Sequence, residues 1–351
     1  MIRTVRALAL SLALLAPLAA QAAPPAGAVA ERNSAGQLAV SWTSSDPVDV
    51  LLAERPGTTP AQAKLVSPRD LDGKYLAAVA IEIPRSYFIL RDARTGETTR
   101  VAERLLPLEG GSNFRDIGGY AAANGKHVRW GMIYRSGGTP LLTPSDLGQV
   151  QALSLANMVD LRSTEERVIA PSRIDGIPYT AVGYSMVPLI SNVSRSSEDT
   201  YRAFPKMLAP QIRQVFAKLL SGEGPLAYNC SAGQDRTGFT TAIVLTVLGV
   251  PHDTIEADYH LSTLYRRPEN EMPKLSAAMQ ETSPVAAYFG RVLGDPVTRK
   301  PQPLFTPDGT SYLTFSLDEV TKTWGSVEGY LAAEAGVSKA DLMKLQAAYT
   351  E

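Results

Sequence analysis

Between residues 31 and 106, hydrophobic side chains come in short runs that are separated by turn-forming residues. Residues 37–42 alternate polar and apolar positions, which is typical of a strand with one buried face. Further strand-like runs span residues 48–52, 75–83, 87–91 and 98–104. Turn signals lie between the runs at residues 44–47, 72–73 and 94–96. This pattern predicts a small all-β sandwich over residues 24–106, with residues 24–30 as a spacer ahead of its first strand.

From residue 107 onward the spacing of the hydrophobic residues changes, and it predicts strands that alternate with helices. Predicted strands span residues 156–161 and 225–228, and predicted helices span residues 198–220 and 239–250. Pro205 and Pro210 should break the first half of the earlier helix. The alternation predicts an α/β domain over residues 107–351, with a central, mostly parallel sheet flanked by helices. Residues 266–317 are rich in Pro and Gly, and we expect an irregular insertion or a lid there.

The first 22 residues have the pattern of a signal peptide. Arg3 and Arg6 form a charged start, residues 7–20 are apolar, and residues 20–22 (Ala-Gln-Ala) match a small-x-small cleavage site. We therefore expect cleavage near Ala22 and export, to the periplasm or outside the cell. The apolar run is too short for a confident membrane span, and we expect no integral span in the mature chain.

Composition narrows the function. The net charge of −1 over 351 residues does not favour nucleic-acid binding. The three histidines are scattered, without a cluster of Cys or carboxylates at ligand spacing, so no metal site is predicted. A single cysteine excludes an internal disulfide, and a lone thiol in an oxidising compartment is a liability unless the protein uses it.

That cysteine lies in the most informative stretch, residues 229–238 (Asn-Cys-Ser-Ala-Gly-Gln-Asp-Arg-Thr-Gly), between a predicted strand and a predicted helix. Five residues separate Cys230 from Arg236, so the loop can curl and direct successive backbone N–H groups at one centre. Such a concavity at a helix N-terminus binds a phosphate-sized dianion. The same positive field favours the thiolate form of Cys230, and Arg236 can grip two phosphate oxygens.

The stretch resembles the signature of cysteine-based phosphatases. It is most similar to the bacterial branch of the protein-tyrosine phosphatase superfamily whose loop is His-Cys-x-x-Gly-Lys-Asp-Arg-Thr-Gly. Supporting phrases occur at residues 113–120 (Asn-Phe-Arg-Asp-Ile-Gly-Gly-Tyr) and 160–163 (Asp-Leu-Arg-Ser), and the resemblance covers residues 113–349. The predicted α/β domain is thus expected to be a phosphatase domain. The sandwich resembles fibronectin type III or immunoglobulin modules.

The resemblance implies a two-step reaction that needs no metal or cofactor. Cys230 would attack the phosphorus, while Arg236 and the N–H groups of the loop stabilise the phosphoryl oxygens. Thr237 would donate its hydroxyl to the departing thiolate. An aspartate inside the loop, Asp235, is the expected general acid, with Asp160 in reserve. The predicted phosphate-binding loop positions are Ser231, Ala232, Gly233 and Gln234.

Two loop residues depart from the branch. Asn229 stands where His is usual. In that branch the His orients the loop and tunes the thiol, so we expect Cys230 to be tuned differently here. Gln234 replaces the usual Lys, which removes a fixed positive charge beside the phosphate and weakens the case for multiply phosphorylated inositol lipids.

Four charged residues outside the loop have two open interpretations. Arg115 and Arg135 either brace the loop, together with Asp116, or face the substrate; Asp160 and Arg162 either line the rim of the site or brace it.

The first hypothesis for function is a phosphatase for phosphotyrosine, acting on a phosphorylated protein or a small phosphomonoester. The alternatives are a phosphoinositide or phospholipid-headgroup phosphatase and a phosphate-binding module without turnover. The sequence does not define an oligomeric state.

Overall fold

The computed structural model describes residues 24–77, 85–191 and 196–351. The predicted leader and most of the predicted strand 75–83 lie outside these ranges. The strands are β1 (Ala26–Arg32), β2 (Leu38–Thr43), β3 (Val48–Ala53), β4 (Lys64–Asp70), β5 (Lys74–Ala77), β6 (Tyr87–Asp92), β7 (Thr98–Ala102), β8 (Arg115–Asp116), β9 (Ile133–Ser136), β10 (Asn157–Asp160), β11 (Tyr179–Ala181) and β12 (Leu226–Asn229).

Among the described residues, the α-helices all follow residue 143. They are α1 (Pro144–Ala152), α2 (Thr164–Ile169), α3 (Val187–Ser191), α4 (Ser197–Met207), α5 (Ala209–Ser221), α6 (Asp235–Val247), α7 (His252–His260), α8 (Ser262–Tyr265), α9 (Ala277–Thr282), α10 (Pro284–Gly294), α11 (Tyr312–Trp324), α12 (Val327–Tyr330) and α13 (Lys339–Tyr349).

The N-terminal part forms two antiparallel sheets, of order β1-β2-β5 and β4-β3-β6-β7. Alternate side chains of both sheets meet in one core, which contains Trp42, Val50 and Phe88. Face-to-face packing of this kind is a β-sandwich. The predicted spacer is wrong in part, because Ala26–Arg32 pairs with β2 as a strand. That strand has only one fully buried side chain, Ala30, so its hydrophobic pattern is weak.

The C-terminal part is an α/β unit around a five-stranded sheet of order β11-β10-β12-β9-β8. The first four strands are parallel, and β8 joins the edge antiparallel to β9. The predicted fold class, a mostly parallel sheet flanked by helices and preceded by a β-sandwich, is confirmed. Helix α6 follows the central strand β12 and is buried on nearly all sides, so its apolar residues are not confined to one stripe.

Two helices replace the predicted helix 198–220. They are α4 and α5, and the break falls at Leu208, between Pro205 and Pro210 as predicted.

Residues 266–317 are more regular than predicted. Ser276 and Ser283 cap α9 and α10, and Val285 and Ala286 of α10 pack beneath α2 and α3 in a separate hydrophobic cluster. Within the described residues, no helix has both the length and the hydrophobicity to cross a bilayer.

Buried contacts join the sandwich to the α/β unit. Trp130 packs against the outer face of the second sheet, with Leu51, Tyr87 and Ile89, and its indole N–H donates to the Arg100 carbonyl at 3.1 Å. Beside it, Arg85 of the sandwich pairs with Asp116 of β8, whose carboxylate also accepts the N–H groups of Gly118 and Gly131. The Arg85 side chain is 8% exposed and Asp116 is fully buried.

The Arg85–Asp116 pair should contribute strongly to stability, because removing one partner leaves a buried charge uncompensated. We expect Arg85→Met to lower the free energy of unfolding by about 3 kcal/mol in urea denaturation. Arg94→Met is the matched control, since the pair of Arg94 with Asp46 is half exposed and should contribute much less to stability. Equal effects of the two substitutions would contradict the buried-charge explanation.

Candidate active site

The loop of residues 230–234 connects the end of β12 to the start of α6. Gly233 has φ of +63°, and a Cβ there would lie 2.4 Å from the backbone N of Gly137, so only glycine allows this close approach. Gly238 is equally constrained, because a Cβ would lie 2.6 Å from the ring of Tyr259. Both glycines of the motif are therefore required by neighbouring backbone or side chains.

The carbonyl groups of the loop are bonded on its outer side. Ser231 accepts from the Gly138 N–H at 2.8 Å, and Gly233 accepts from Asn113 and Arg135, each at 2.8 Å. By contrast, the backbone N–H groups of residues 231–234 have no hydrogen-bond acceptor within the described residues. The first turn of α6 adds N–H groups without intrahelical partners. The loop thus presents a concave set of donors suited to an anion.

Cys230 lies beneath these donors, at the floor of a cleft of about 700 Å³. It is 1% exposed, and Ser231, Ala232, Asp235 and Arg236 line the same cleft. The same cleft is lined by eight apolar side chains from α3, the residue before it, α4 and α10: Met186, Leu189, Ile190, Phe204, Met207, Phe289, Val292 and Leu293. The thiol is therefore reachable through the cleft but shielded from bulk water.

Glu166 of α2 holds Arg236 with two hydrogen bonds of 2.6 and 2.7 Å, and it also accepts the Ser231 hydroxyl at 2.7 Å. Burial opposes ionisation of this glutamate, but the Arg236 guanidinium outweighs burial and lowers its pKa to about 2. The Tyr184 hydroxyl accepts a further bond from Arg236 at 2.7 Å. Arg236 is thus fixed in orientation, with its remaining donors available to a ligand.

Asp235 is the first residue of α6, and its Oδ1 accepts two side-chain donors. One is the Tyr201 hydroxyl, and the other is the Gln234 amide at 3.2 Å. Gln234 in turn accepts from Arg266 at 2.9 Å, and Arg266 is paired with Glu271 through two bonds of 2.8 Å. A guanidinium from a distant part of the chain thus lies beside the position where the branch usually has Lys.

Asn229 and Thr237 are fully buried on either side of the loop. The Asn229 amide donates to the Cys230 carbonyl at 3.3 Å. The Thr237 hydroxyl has no hydrogen-bond partner in the part of the chain that the structure describes, and neither does the Asn229 side-chain oxygen. The hydroxyl predicted to assist the departing thiolate is therefore uncommitted.

Arg115 and Arg135 lie behind the loop and do not line the cleft. Both are fully buried and pair with Asp258 of α7, and Arg115 also bonds the side chain of Asn113. Burial disfavours the Asp258 carboxylate, but the two guanidiniums hold its pKa well below its usual range. Their placement is that of braces, because Arg135 and Asn113 bond the loop carbonyls. The substrate-facing interpretation of Arg115 and Arg135 is not supported.

Asp160 and Arg162 form a pair of their own at the end of β10. Arg162 donates to Asp160 at 2.7 Å and to the Ala170 carbonyl at 2.6 Å, while the Tyr179 hydroxyl also bonds Asp160. Neither residue is exposed or lines the cleft. The structure therefore places these two residues away from the phosphate-binding concavity, with Asp160 occupied by other donors.

No group of three His, Cys, Asp or Glu side chains among the described residues is arranged to hold a metal ion.

Comparison with known proteins agrees with this geometry. The profile of the tyrosine phosphatase family matches residues 106–351. This chain belongs to the tyrosine phosphatase family. A protein of Cupriavidus necator that carries the provisional name tyrosine-protein phosphatase is 30% identical over 248 residues, which are 66% of this chain and 84% of that protein. The family resemblance inferred from the loop is confirmed.

Two further relatives match this chain over regions of different length. The triple specificity protein phosphatase PtpB of Mycobacterium tuberculosis is 28% identical over 288 residues, 70% of this chain and 98% of that protein. A tyrosine-protein phosphatase of Nostoc commune is 28% identical over 134 residues, 35% of this chain and 46% of that protein.

Several residues of this tyrosine phosphatase site were not predicted from the sequence. Glu166, Tyr201 and Arg266 lie 70, 34 and 32 positions from the loop residues that they contact. Asp258 lies 123 and 143 positions from Arg135 and Arg115, its partners behind the loop. The sequence signal for Glu166 was its place after Asp-Leu-Arg-Ser, in a capping box with Ser163. No local pattern marks Tyr201 or Arg266.

The Glu166–Arg236 pair predicts a specific pH dependence of stability. Because the folded state lowers the pKa of Glu166 from 4.5 to about 2, its contribution is complete above about pH 4.5 and is lost as the pH falls toward 2. We expect the difference in the free energy of unfolding between wild type and Glu166→Gln to shrink by roughly 2 kcal/mol from pH 7 to pH 3. Urea denaturation at a series of pH values measures it.

Glu281→Gln is the control, since Glu281 is exposed at the end of α9 and should follow the wild type at every pH. A Glu166→Gln difference that stays constant or grows on acidification would contradict the assignment.

Proposed function

We propose that this chain is a protein-tyrosine phosphatase that hydrolyses phosphomonoesters through a phosphocysteine at Cys230. The observation that carries the proposal is a single thiol at the floor of a cleft, below unpaired backbone N–H groups and beside a fixed Arg236. These features meet the needs of phosphoryl transfer, because they position a nucleophile in line with a phosphorus whose equatorial oxygens are already bonded.

In the first step, the Cys230 sulfur forms a bond to phosphorus as the bond from phosphorus to the leaving oxygen breaks. Asp235, the expected acid, supplies the proton that the leaving oxygen needs. Arg236 and the loop N–H groups stabilise the charge on the equatorial oxygens, and Glu166 keeps the guanidinium in place.

In the second step, water attacks phosphorus and the sulfur–phosphorus bond breaks. Asp235 takes a proton from the water, which restores its starting state and releases phosphate. Thr237 is suited to donate to the sulfur as negative charge returns to it, because its buried hydroxyl is not engaged by other described residues.

The lining of the cleft favours phosphotyrosine. Phe204 and Phe289 line the same cleft as Cys230, and the ring of a phosphotyrosine has apolar faces that can pack against such side chains. The name of the M. tuberculosis relative includes triple specificity, so substrates beyond phosphotyrosine belong in any test.

The decisive experiment replaces the nucleophile. Cys230→Ser should lower kcat for p-nitrophenyl phosphate by roughly 10³-fold or more, because a hydroxyl is a much weaker nucleophile than a thiolate. The melting temperature and the circular dichroism spectrum should stay close to those of the wild type. Acid quenching of the wild type should trap a phosphoenzyme that the variant does not form. Full activity of the variant would end the proposal, and a wild type that binds phosphate without turnover would establish a binding module instead.

A substrate panel separates the remaining possibilities. With EDTA present, we expect kcat/KM for a phosphotyrosine peptide to exceed that for the matching phosphoserine peptide by at least about tenfold, since phosphoserine has no ring to pack against the apolar lining. A phosphoinositide that is hydrolysed faster than either peptide would instead assign the chain to lipid headgroups.

We also propose that the protein acts outside the cytoplasm. The charged start, apolar run and small-residue site of residues 1–22 support export. Expression of the full chain in a bacterial host should give a periplasmic or secreted product whose N-terminal sequence begins near Ala23. A full-length product confined to the cytoplasm would contradict the proposal.

A further inference from the structure

We propose that Tyr201, Gln234 and Arg266 are positioning residues that hold Asp235 by one oxygen, Oδ1, and so leave Oδ2 as the oxygen that carries the catalytic proton. The inference rests on the proposed function, because it assigns geometry to the acid of that same site.

Tyr201 of α4 makes the first contact with the carboxylate. Its hydroxyl donates to Asp235 Oδ1 and lies 2.7 Å from the hydroxyl of Tyr259. A phenol has one hydrogen, so Tyr259 must be the donor in the second bond. Burial and the neighbouring carboxylate raise the pKa of Tyr201 well above its usual range, which keeps it a neutral donor.

Gln234 makes the second contact, and Arg266 determines which way its amide faces. A guanidinium has only donors, so the Gln234 oxygen must face Arg266, at 2.9 Å. The Gln234 NH₂ group is thereby directed at Asp235 Oδ1, at 3.2 Å. Glu271 fixes Arg266 through two bonds of 2.8 Å, so the orientation is set by a chain of three side chains.

The two oxygens of Asp235 therefore have different surroundings. Oδ1 already accepts two donors, and a proton on it would face the Gln234 NH₂ group or displace the Tyr201 bond. Oδ2 has no hydrogen-bond partner within the described residues. It is also not one of the buried polar atoms that lack a partner in that part of the chain. Since Asp235 lines the cleft above Cys230, Oδ2 is the oxygen available to the leaving group.

In both steps, the same atom, Asp235 Oδ2, then gives or accepts the proton. In the first step the proton leaves Oδ2 for the leaving oxygen, and Oδ1 keeps both donors as the carboxylate forms. In the second step Oδ2 accepts a proton from the attacking water. Neither Tyr201 nor Gln234 gains or loses a proton, so their role is orientation.

Leaving-group dependence tests the proposal, because only poor leaving groups need the acid. We expect Tyr201→Phe to lower kcat/KM for phenyl phosphate about tenfold and that for 2,4-dinitrophenyl phosphate less than about twofold. Gln234→Leu removes the second contact and should show the same selectivity. Tyr312→Phe is the matched control. The Tyr312 ring stacks on that of Tyr201 at 5.2 Å, and its hydroxyl makes no hydrogen bond to another described residue, so both esters should react as in the wild type.

Coupling to Asp235 separates orientation from general damage. Asp235→Asn alone should reduce phenyl phosphate hydrolysis by about 10²-fold or more, and adding Tyr201→Phe to it should change the rate less than about twofold, because Tyr201 acts through the carboxyl group. A full tenfold loss in the double variant, or an equal loss on both esters in Tyr201→Phe, would overturn the proposal, as would no loss on either ester.

Failures of the underlying assumptions give different results. If Asp235→Asn affects both esters equally, Asp235 is not the acid and the positioning proposal fails, while phosphatase activity stands. If Cys230→Ser is fully active, the proposed function itself fails.

Discussion

A loop that directs its N–H groups toward one centre must direct its carbonyl groups away from that centre, and each of those carbonyls needs a donor. The rest of the catalytic unit is arranged around this constraint. The donors come from Gly138, Asn113, Arg135 and the Asn229 side chain, which belong to three separate stretches of the chain. The concavity is therefore a product of its outer contacts, and it does not depend on the loop sequence alone.

The outer contacts bring buried charge with them. Arg135 can donate to the loop only if its own charge is balanced, and Asp258 provides that balance together with Arg115. Asp116, which follows Arg115 in β8, forms an ion pair with Arg85 of the sandwich. Two sets of paired charges thus meet at β8, one behind the loop and one at the N-terminal module. Breaking a pair in either set would leave a buried charge whose desolvation is not offset, so the members of each set depend on one another.

The sequence predicted the parts of the site that depend on local spacing. Cys230, Arg236 and the glycines fall within ten residues, and a strand before them and a helix after them follow from hydrophobic period. The partners that orient those groups could not be predicted in the same way. Tyr201 and Arg266 reach the loop only because α4 and the segment after α8 fold over it, and a contact between distant positions leaves no periodic signal. For the same reason, the sequence left Arg115 and Arg135 with two interpretations. Their pairing with Asp258 and the bond from Arg135 to the Gly233 carbonyl favour the bracing one.

The chain has a single cysteine, so a thiol-specific reagent can modify it at one position only. Because the only thiol of the chain lies in the cleft, a thiol-directed label or an alkylating inhibitor modifies each molecule at most once, and always in that cleft. The stoichiometry of labelling therefore counts the molecules in a preparation whose cleft is accessible. Slower labelling in the presence of inorganic phosphate or vanadate reports that the anion occupies the concavity of the loop, and it requires no turnover measurement.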